Sequence, residues 1–400
     1  MRVRIDSQRL GTSTSLIIDP DGTYRWGDEE CEVSVCGSDD SSVPLEDLAQ
    51  MMGIDEERLK LAPPSHVRAF KILGYNHDEV PWSSALRKDL FIDRVERISQ
   101  CVQDITRRTE LVRYVKTYRK CRGFLRRLRR PTVDIDRLNR YVEECDSGES
   151  VLASLRGFKP RSDSLVREVK YSQTSTVTGR LVVDEGPSIL TLPKRYRYII
   201  RSPSGGRVYE VDFVSLEPRF ALLDAGVSPP GDIYNYIRHE IFHGSLSRKA
   251  VKTATISALY GSSPRLMTDL IGDAGISPRS VVRRVKEYFS ADDLGQRLTS
   301  SIDRGRIYNY YGRPIAVNRD MSSSKLISYY IQSSCVDTAL LGFLSLNESF
   351  HSLGAHPIYV IHDAVLVDVP VESEDEFIGI CKAGVDLNIG HFTLGVNRIS

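Results

Sequence analysis

Val208-Tyr209-Glu210-Val211-Asp212-Phe213-Val214-Ser215-Leu216-Glu217-Pro218-Arg219 is the stretch on which the reading of this 400-residue sequence turns. Its first half is rich in apolar, β-branched and aromatic residues, the composition of a strand, and it ends on a carboxylate. A second run of the same kind, Pro357-Ile358-Tyr359-Val360-Ile361, leads into His362-Asp363 and is followed, after a tight turn, by the strand Ala364-Val365-Leu366-Val367-Asp368-Val369. Two strands thus each deliver an Asp at an end or turn. A single strand-end Asp usually caps a turn. An unpaired charge among apolar neighbours costs several kcal/mol, however, so a pair of such carboxylates calls for a cation, and a divalent metal pair is one answer.

Between these strands lies Arg248-x3-Lys252-x3-Ile256-x3-Tyr260-Gly261. With every step four residues long, these side chains form one slowly winding stripe on a helix. Read alone, the stripe is a solvated basic face; beside a carboxylate pair, two cations one turn apart suit a polyphosphate, and Tyr260 could stack on a base.

Working outward, the chain has Lys+Arg 54 against Asp+Glu 53, a net charge of +1, with 41% hydrophobic and 27% charged residues. This composition excludes wholesale disorder and a uniformly basic nucleic-acid coat, so any basic surface must be local. No apolar run approaches the ~18 residues of a membrane helix, and the N-terminal MRVRIDSQRL lacks an apolar stretch after its charges; the expectation is a protein neither secreted nor membrane-bound, resident in the cytoplasm or wherever its substrate lies. The seven cysteines are scattered without a C-x-x-C pair, which points to inert thiols in a reducing compartment. The length exceeds one core of ~250–300 residues, so several lobes are expected.

Ser15 to Trp26 reads as a hairpin around the turn Asp19-Pro20-Asp21-Gly22, and residues 1–62 as a small β-rich region. Residues 63–164 read as a helical lobe, with Phe91, Val95, Ile98, Val102 and Ile105 at helical spacing. Within it, Arg107 to Arg130 carries eleven basic residues and one acid, with Tyr114, Tyr118 and Phe124 interleaved. Tyr198-Ile199-Ile200 reads as extended, while 232–270, 277–289 and 322–346 read as helical.

Four stretches in this order resemble the family A, DNA polymerase I type, DNA polymerases: Thr178-Gly179-Arg180-Leu181; Asp212 to Arg219, similar to D-Y-S-x-I-E-x-R; the Arg248 to Gly261 helix; and Ile361-His362-Asp363, similar to V-H-D-E. The resemblance covers about residues 165–400. It implies an α+β, right-hand polymerase fold: an antiparallel palm sheet (165–235 and 321–400), helical fingers (236–320) and the preceding helical lobe as a thumb. It further implies template-directed DNA synthesis, adding deoxynucleotides to a primer 3′-hydroxyl, with two magnesium ions held by Asp212 and Asp363 and helped by the Phe213 carbonyl. Arg248 and Lys252 would grip the triphosphate, Lys252 also protonating the leaving pyrophosphate. Tyr260 and Ile256 would lie beside the incoming nucleotide, Glu217 would exclude a ribose 2′-hydroxyl, Arg180 and Gln332 would sense the minor groove, and His362 would meet the primer-terminal phosphate.

Three positions depart from the family pattern. Ile256 replaces an aromatic, Ala364 replaces an acid, and the helix expected as R-x3-N-x3-Q reads Ser324-x3-Ser328-x3-Gln332, with Lys325 as a substitute charge. The residues before 165 are too few for both a thumb and a proofreading exonuclease; Asp19-x-Asp21 reads as a turn rather than an acidic site. Arg119, Arg126, Arg127 and Arg130 are expected to grip duplex phosphates. The expected partners are primer-template DNA, deoxynucleoside triphosphates and a processivity or replisome protein. The alternatives are a single-subunit RNA polymerase and a catalytically inactive polymerase fold serving as a DNA-binding scaffold.

Overall fold

The computed structural model of the chain describes residues 1–35, 42–54, 59, 64–75, 80–145, 149–160, 164–261, 264–271 and 277–400. Two compact units divide it: residues 1–123 with 310–316, and residues 124–309 with 317–400.

The first unit is built on five very short strands, β1 (Val3–Ile5), β2 (Leu16–Ile18), β3 (Tyr24–Trp26), β4 (Val33–Ser34) and β5 (Val43–Pro44), in the order β3-β2-β1-β4-β5. Strands this short cannot bury enough surface by themselves. Val3, Ile5, Leu16 and Ile18 accordingly share one core with Val95, Ile98, Val102 and Ile105 of helix α1 (Lys88–Thr106). The β-rich region and the first helical segment are therefore one body, which redraws the segments 1–62 and 63–164; the boundary at 62 itself lies outside the described residues, as does Cys36. At the β2–β3 hairpin, Asp21 accepts from the Thr23 amide (3.0 Å) and hydroxyl (2.7 Å), while Asp19 pairs with Arg2 and Arg25. Both carboxylates are thus used by the turn.

Helix α2 (Thr109–Arg126) carries the basic run. Its interleaved aromatics Tyr114, Tyr118 and Phe124 are buried, so they are core anchors and not stacking platforms. The reason is periodicity: the aromatics and Leu111, Val115 and Cys121 occupy one face, and the arginines take the other.

The second unit holds a short ribbon, β6 (Lys170–Ser172) with β7 (Val182–Glu185), and a four-stranded antiparallel sheet. The sheet consists of β8 (Arg207–Phe213), β9 (His356–Ile361), β10 (Ala364–Val369) and β11 (Leu394–Arg398) in the order β9-β10-β8-β11. One face packs Val208 and Leu366 into a core with Leu155, Phe158 and Ile189. The other receives the long helix: Phe213 meets Phe343 at 5.3 Å and Phe392 at 5.8 Å between ring centroids. After β8 the chain turns through Ser215 (φ 56°) into α3 (Leu216–Asp224); the region read as helical over 232–270 then breaks into α4 (Ile233–Glu240), α5 (Arg248–Leu259) and a third helix, Pro264–Ile271. Lys194–Ile199, expected to be extended at its end, is a 3-10 helix leading into a strand of only Ile200–Arg201. Further on come α6 (Ser323–Ser352) and α7 (Glu374–Ala383). Among the described residues, no helix is long and apolar enough to cross a membrane.

The contact between α6 and β8 depends on Gly342, where an added Cβ would lie 2.5 Å from the Phe213 ring. Gly342→Val should therefore overpack this interface and lower stability by about 1–3 kcal/mol, read as a lower urea midpoint. An unchanged midpoint would mean that helix and strand are not in close contact.

Candidate active site

Sheet register brings the strand-end carboxylates together. Asp212 stands directly opposite Ala364, the residue after Asp363, and the Phe213 amide donates to the Asp363 carbonyl at 3.1 Å. Between β9 and β10 the turn is formed by His362, which holds a left-handed φ of 57°, and Asp363. The side chains of Glu210 and Asp212 share a face of β8, since residues two apart on a strand do. Glu210 is buried and held by Lys194 (2.5 Å) and Arg197 (2.7 Å).

Burial first, and then the Asp363 and Glu210 carboxylates, push the Asp212 carboxyl up to about 7, against the opposing pull of Lys194 and Lys252. Both causes act on the charged form, through lost solvation and through like charge. The site is thus short of positive charge.

Helix α5 supplies some. Arg248, Lys252 and Ile256 line a cavity of about 470 Å³ together with Asp212, Glu217 and Asp363. Ser247 caps the helix through the Ala250 amide, so the stripe starts in a fixed register. Arg248 is held by Asp232 in a two-pronged pair at 3.0 and 3.2 Å, and its guanidinium lies 5.5 Å from the Tyr234 ring, with the Lys252 amine 5.9 Å from the same ring.

Glu217, in the first turn of α3, accepts from the Tyr260 hydroxyl at 2.8 Å and from Arg180 at 3.4 Å. Burial and the neighbouring Glu217 hold the Tyr260 hydroxyl well above its ordinary pKa, so it stays a donor. Arg180 follows Gly179, whose φ of 74° lets the turn close with Thr176 accepting the Gly179 amide. A second cavity, of about 340 Å³, is lined by Arg180, Glu217, Gln332, Cys335, His362 and Asp363. Its Gln332 donates to Ser328 at 3.0 Å.

Of the residues singled out in the sequence, Asp212, Phe213, Glu217, Arg248, Lys252, Ile256 and Asp363 meet in one cavity, and Arg180, Gln332 and His362 in the other, which shares Glu217 and Asp363 with the first. Tyr260 reaches them through Glu217. Lys325 lies with its amine 4.8 Å from the Tyr329 ring centroid and is not among the residues lining these two cavities. Arg119 belongs to the first unit, 3.9 Å from Glu32, whereas Arg126, Arg127 and Arg130 line a separate cavity of the second unit. Sequence reasoning missed Asp232, Tyr234, Lys194 and Glu210. Asp232 was legible only as a helix cap, which it also is, through the Asn235 amide; its bond to Arg248 exists because the chain doubles back between α4 and α5.

The chain is 21% identical over 245 residues to DNA polymerase I of Deinococcus radiodurans, covering 53% of this chain and 25% of that protein. It is 22% identical over 260 residues to the thermostable DNA polymerase I of Thermus thermophilus, covering 57% and 30%. It spans about a quarter to a third of the length of these curated relatives. No protein-family model matches. Among solved structures, the POL domain of Pol1 from M. smegmatis, in complex with DNA primer-template and dNTP, matches with a TM-score of 0.60 at 12% identity, covering 96% of this chain and 92% of that one. The fold is accordingly that of a polymerase domain, mixed α+β. The sequence similarity is thus to proteins named DNA polymerase I, and the likeness in fold is to a polymerase domain.

Because its raised pKa lies above the unfolded value of 3.8, ionised Asp212 costs the folded state stability, and that cost grows as pH rises from about 4 to about 7. In chelator, Asp212→Asn should therefore melt higher than wild type at pH 8, by an amount on the order of a few kcal/mol at most, with the gap closing toward pH 4. A gap independent of pH would contradict a strained carboxylate pair.

Proposed function

We propose that the chain extends a primer 3′ end on a DNA template with deoxynucleoside triphosphates, using Asp212 and Asp363 to hold two divalent metal ions. The observation that carries this reading is the single cavity in which two strand-end carboxylates face an Arg–Lys helix stripe beside Glu217. Such a cavity separates an acidic floor from a basic wall, as a metal-bound polyphosphate requires.

The donor set fits a hard divalent cation: two carboxylates at the ends of neighbouring strands, one of them pushed up to about 7 by burial and by the other. Among the described residues no group of three or more His, Cys, Asp or Glu side chains could hold a metal, so water and substrate phosphate would complete the coordination. When bound, magnesium would supply Lewis-acid stabilisation of phosphoryl charge. The remaining work falls to the chain's own residues. Arg248 and Lys252 bind and orient the triphosphate, with Lys252 placed to give a proton to the departing pyrophosphate. Arg248 must exchange its bond to Asp232 for one to phosphate, an exchange between two anions of similar geometry.

Glu217 carries sugar selection. Both its carboxylate oxygens are engaged, by Tyr260 and by Arg180, so the side chain is fixed, and a 2′-hydroxyl arriving there has to displace a bond or clash. Arg180 and Gln332 line the neighbouring cavity, where a duplex minor groove would present its acceptors, and His362 lies at its edge for the primer-terminal phosphate. Ile256 offers the incoming base and sugar an aliphatic surface.

Asp363→Asn should abolish primer extension while leaving primer-template affinity within a few-fold, because affinity comes from phosphate contacts. Near-normal extension by that variant would overturn the metal assignment. Glu217→Ala should raise ribonucleotide relative to deoxyribonucleotide incorporation by tenfold or more, on the order expected for loss of a steric and polar block. Single-nucleotide incorporation with each sugar reads this directly, and an unchanged ratio would move the gate elsewhere.

A further inference from the structure

The five-stranded sheet of the first unit ends on β3 at one side and on β5 at the other, and the two edges differ. β5 is two residues long, ends on Pro44 and runs straight into the helix Leu45–Met52, so little of it is left to pair. β3 carries neither a proline nor a bulge, and all three of its residues are exposed.

Register decides what β3 offers. The Asp19 amide donates to the Thr23 carbonyl and the Gly27 amide to the Ser15 carbonyl, in the same register that sets Ile17 opposite Arg25. Bonded and non-bonded pairs alternate in an antiparallel ladder, so Thr23, Arg25 and Gly27 turn their backbone groups toward β2. The N–H and C=O groups of Tyr24 and Trp26 therefore point outward, away from the sheet. Their side chains stand on the same face as their partners Ile18 and Leu16, which are buried in the core shared with α1. Tyr24 and Trp26 extend that apolar face beyond the core, at 50% and 54% exposure. The edge is also held in place, because Ser99 of α1 donates to the Gly22 carbonyl and Gln103 to the Asp21 carbonyl, tying the hairpin turn to the helix.

Charge narrows the occupant. Residues 19–32 hold six acids against one base, Arg25, a net of −5 in a chain of +1. Asp19 and Glu29 are paired with Arg2 and Arg25, and Glu32 lies 3.9 Å from Arg119. Exposed Asp21 before the strand, and exposed Asp28 and Glu30 after it, form no ion pair among the described residues. Such a field repels a nucleic-acid backbone, and a second copy of the chain would set the same acids against themselves.

We propose that β3 is the docking edge for an extended segment of a partner protein, taken antiparallel as a further strand. Two apolar side chains of the segment lie over Tyr24 and Trp26, and basic residues on either side of them meet Asp21, Asp28 and Glu30. Outward backbone groups supply the pairing, while the aromatic shelf and the flanking acids select the sequence. The surface is independent of the proposed chemistry, whose residues all belong to the second unit.

The probe is a fluorescein-labelled peptide, KKVTVKK, titrated into the full chain at low salt and read by anisotropy. It should bind saturably, one per chain, and more weakly as salt rises. N-methylation of both valines removes the donors aimed at Tyr24 and Trp26 and should weaken binding about tenfold, whereas N-methylation of the threonine, whose N–H points away, should change it by less than about threefold. Trp26→Ala should cost about tenfold. Tyr24→Pro, which removes an outward donor and leaves the ladder to β2 intact, should weaken binding by about as much. The docking edge does not exist if KKVTVKK fails to bind, if the folded Trp26→Ala and Tyr24→Pro proteins bind it as the unmodified chain does, or if the two N-methylated peptides bind alike. Equal binding of EEVTVEE would overturn the basic occupant. Sedimentation of the unmodified chain as a dimer that Tyr24→Pro disperses would assign the edge to a second copy instead, and oligo-dT binding that is lost in Trp26→Ala would assign it to nucleic acid; either result overturns the proposal.

Discussion

The antiparallel pairing of Arg207–Phe213 with Ala364–Val369 is the constraint from which the rest of the site follows. Its register sets Asp212 opposite Ala364, and the Phe213 amide closes onto the Asp363 carbonyl, so two carboxylates far apart in sequence end at the same edge of one sheet. Burial and mutual repulsion then push Asp212 up to about 7. A fold that accepts such strain needs cations nearby, and the Arg248–Lys252 face of the helix across the cavity, together with Lys194 beside Glu210, provides positive charge without neutralising the pair.

Glu217 is the second hub. It joins three segments distant in sequence: the Thr178-Gly179-Arg180 turn, the helix that follows the Asp212 strand, and the end of the Arg248 helix at Tyr260. Its two engaged oxygens fix it in place, as the proposed exclusion of a single hydroxyl would require. The departures from the family pattern sit around this frame and do not break it. Ala364 pairs directly opposite Asp212, Ile256 gives an aliphatic wall, and Ser328 holds Gln332 by a hydrogen bond.

The strands, the Arg248–Leu259 helix and the strand-end carboxylates were legible in the sequence because they rest on local patterns: a run of β-formers closed by Asp, and a four-residue repeat of Arg, Lys, Ile and Tyr. The division into units was not. Strands of two and three residues leave no local sign that their core continues into Val95 and Ile98, and the split falls inside one helix. The aromatics among the arginines of Arg107–Arg130 read equally as stacking groups or as core until the burial of Tyr114 and Phe124 decided it. The Asp232–Arg248 pair was hidden for another reason: it depends on how α4 and α5 fold back on each other, which no periodicity within either helix records.

Primer extension by the unmodified protein tests the central claim most directly. Given a labelled DNA primer on a DNA template with magnesium, the four deoxynucleoside triphosphates should yield full extension, ribonucleoside triphosphates little, and chelator none. Extension with ribonucleotides in preference would make the chain an RNA polymerase on the same fold, and binding of primer-template without any extension would contradict the assignment of Asp212 and Asp363 as a working metal site.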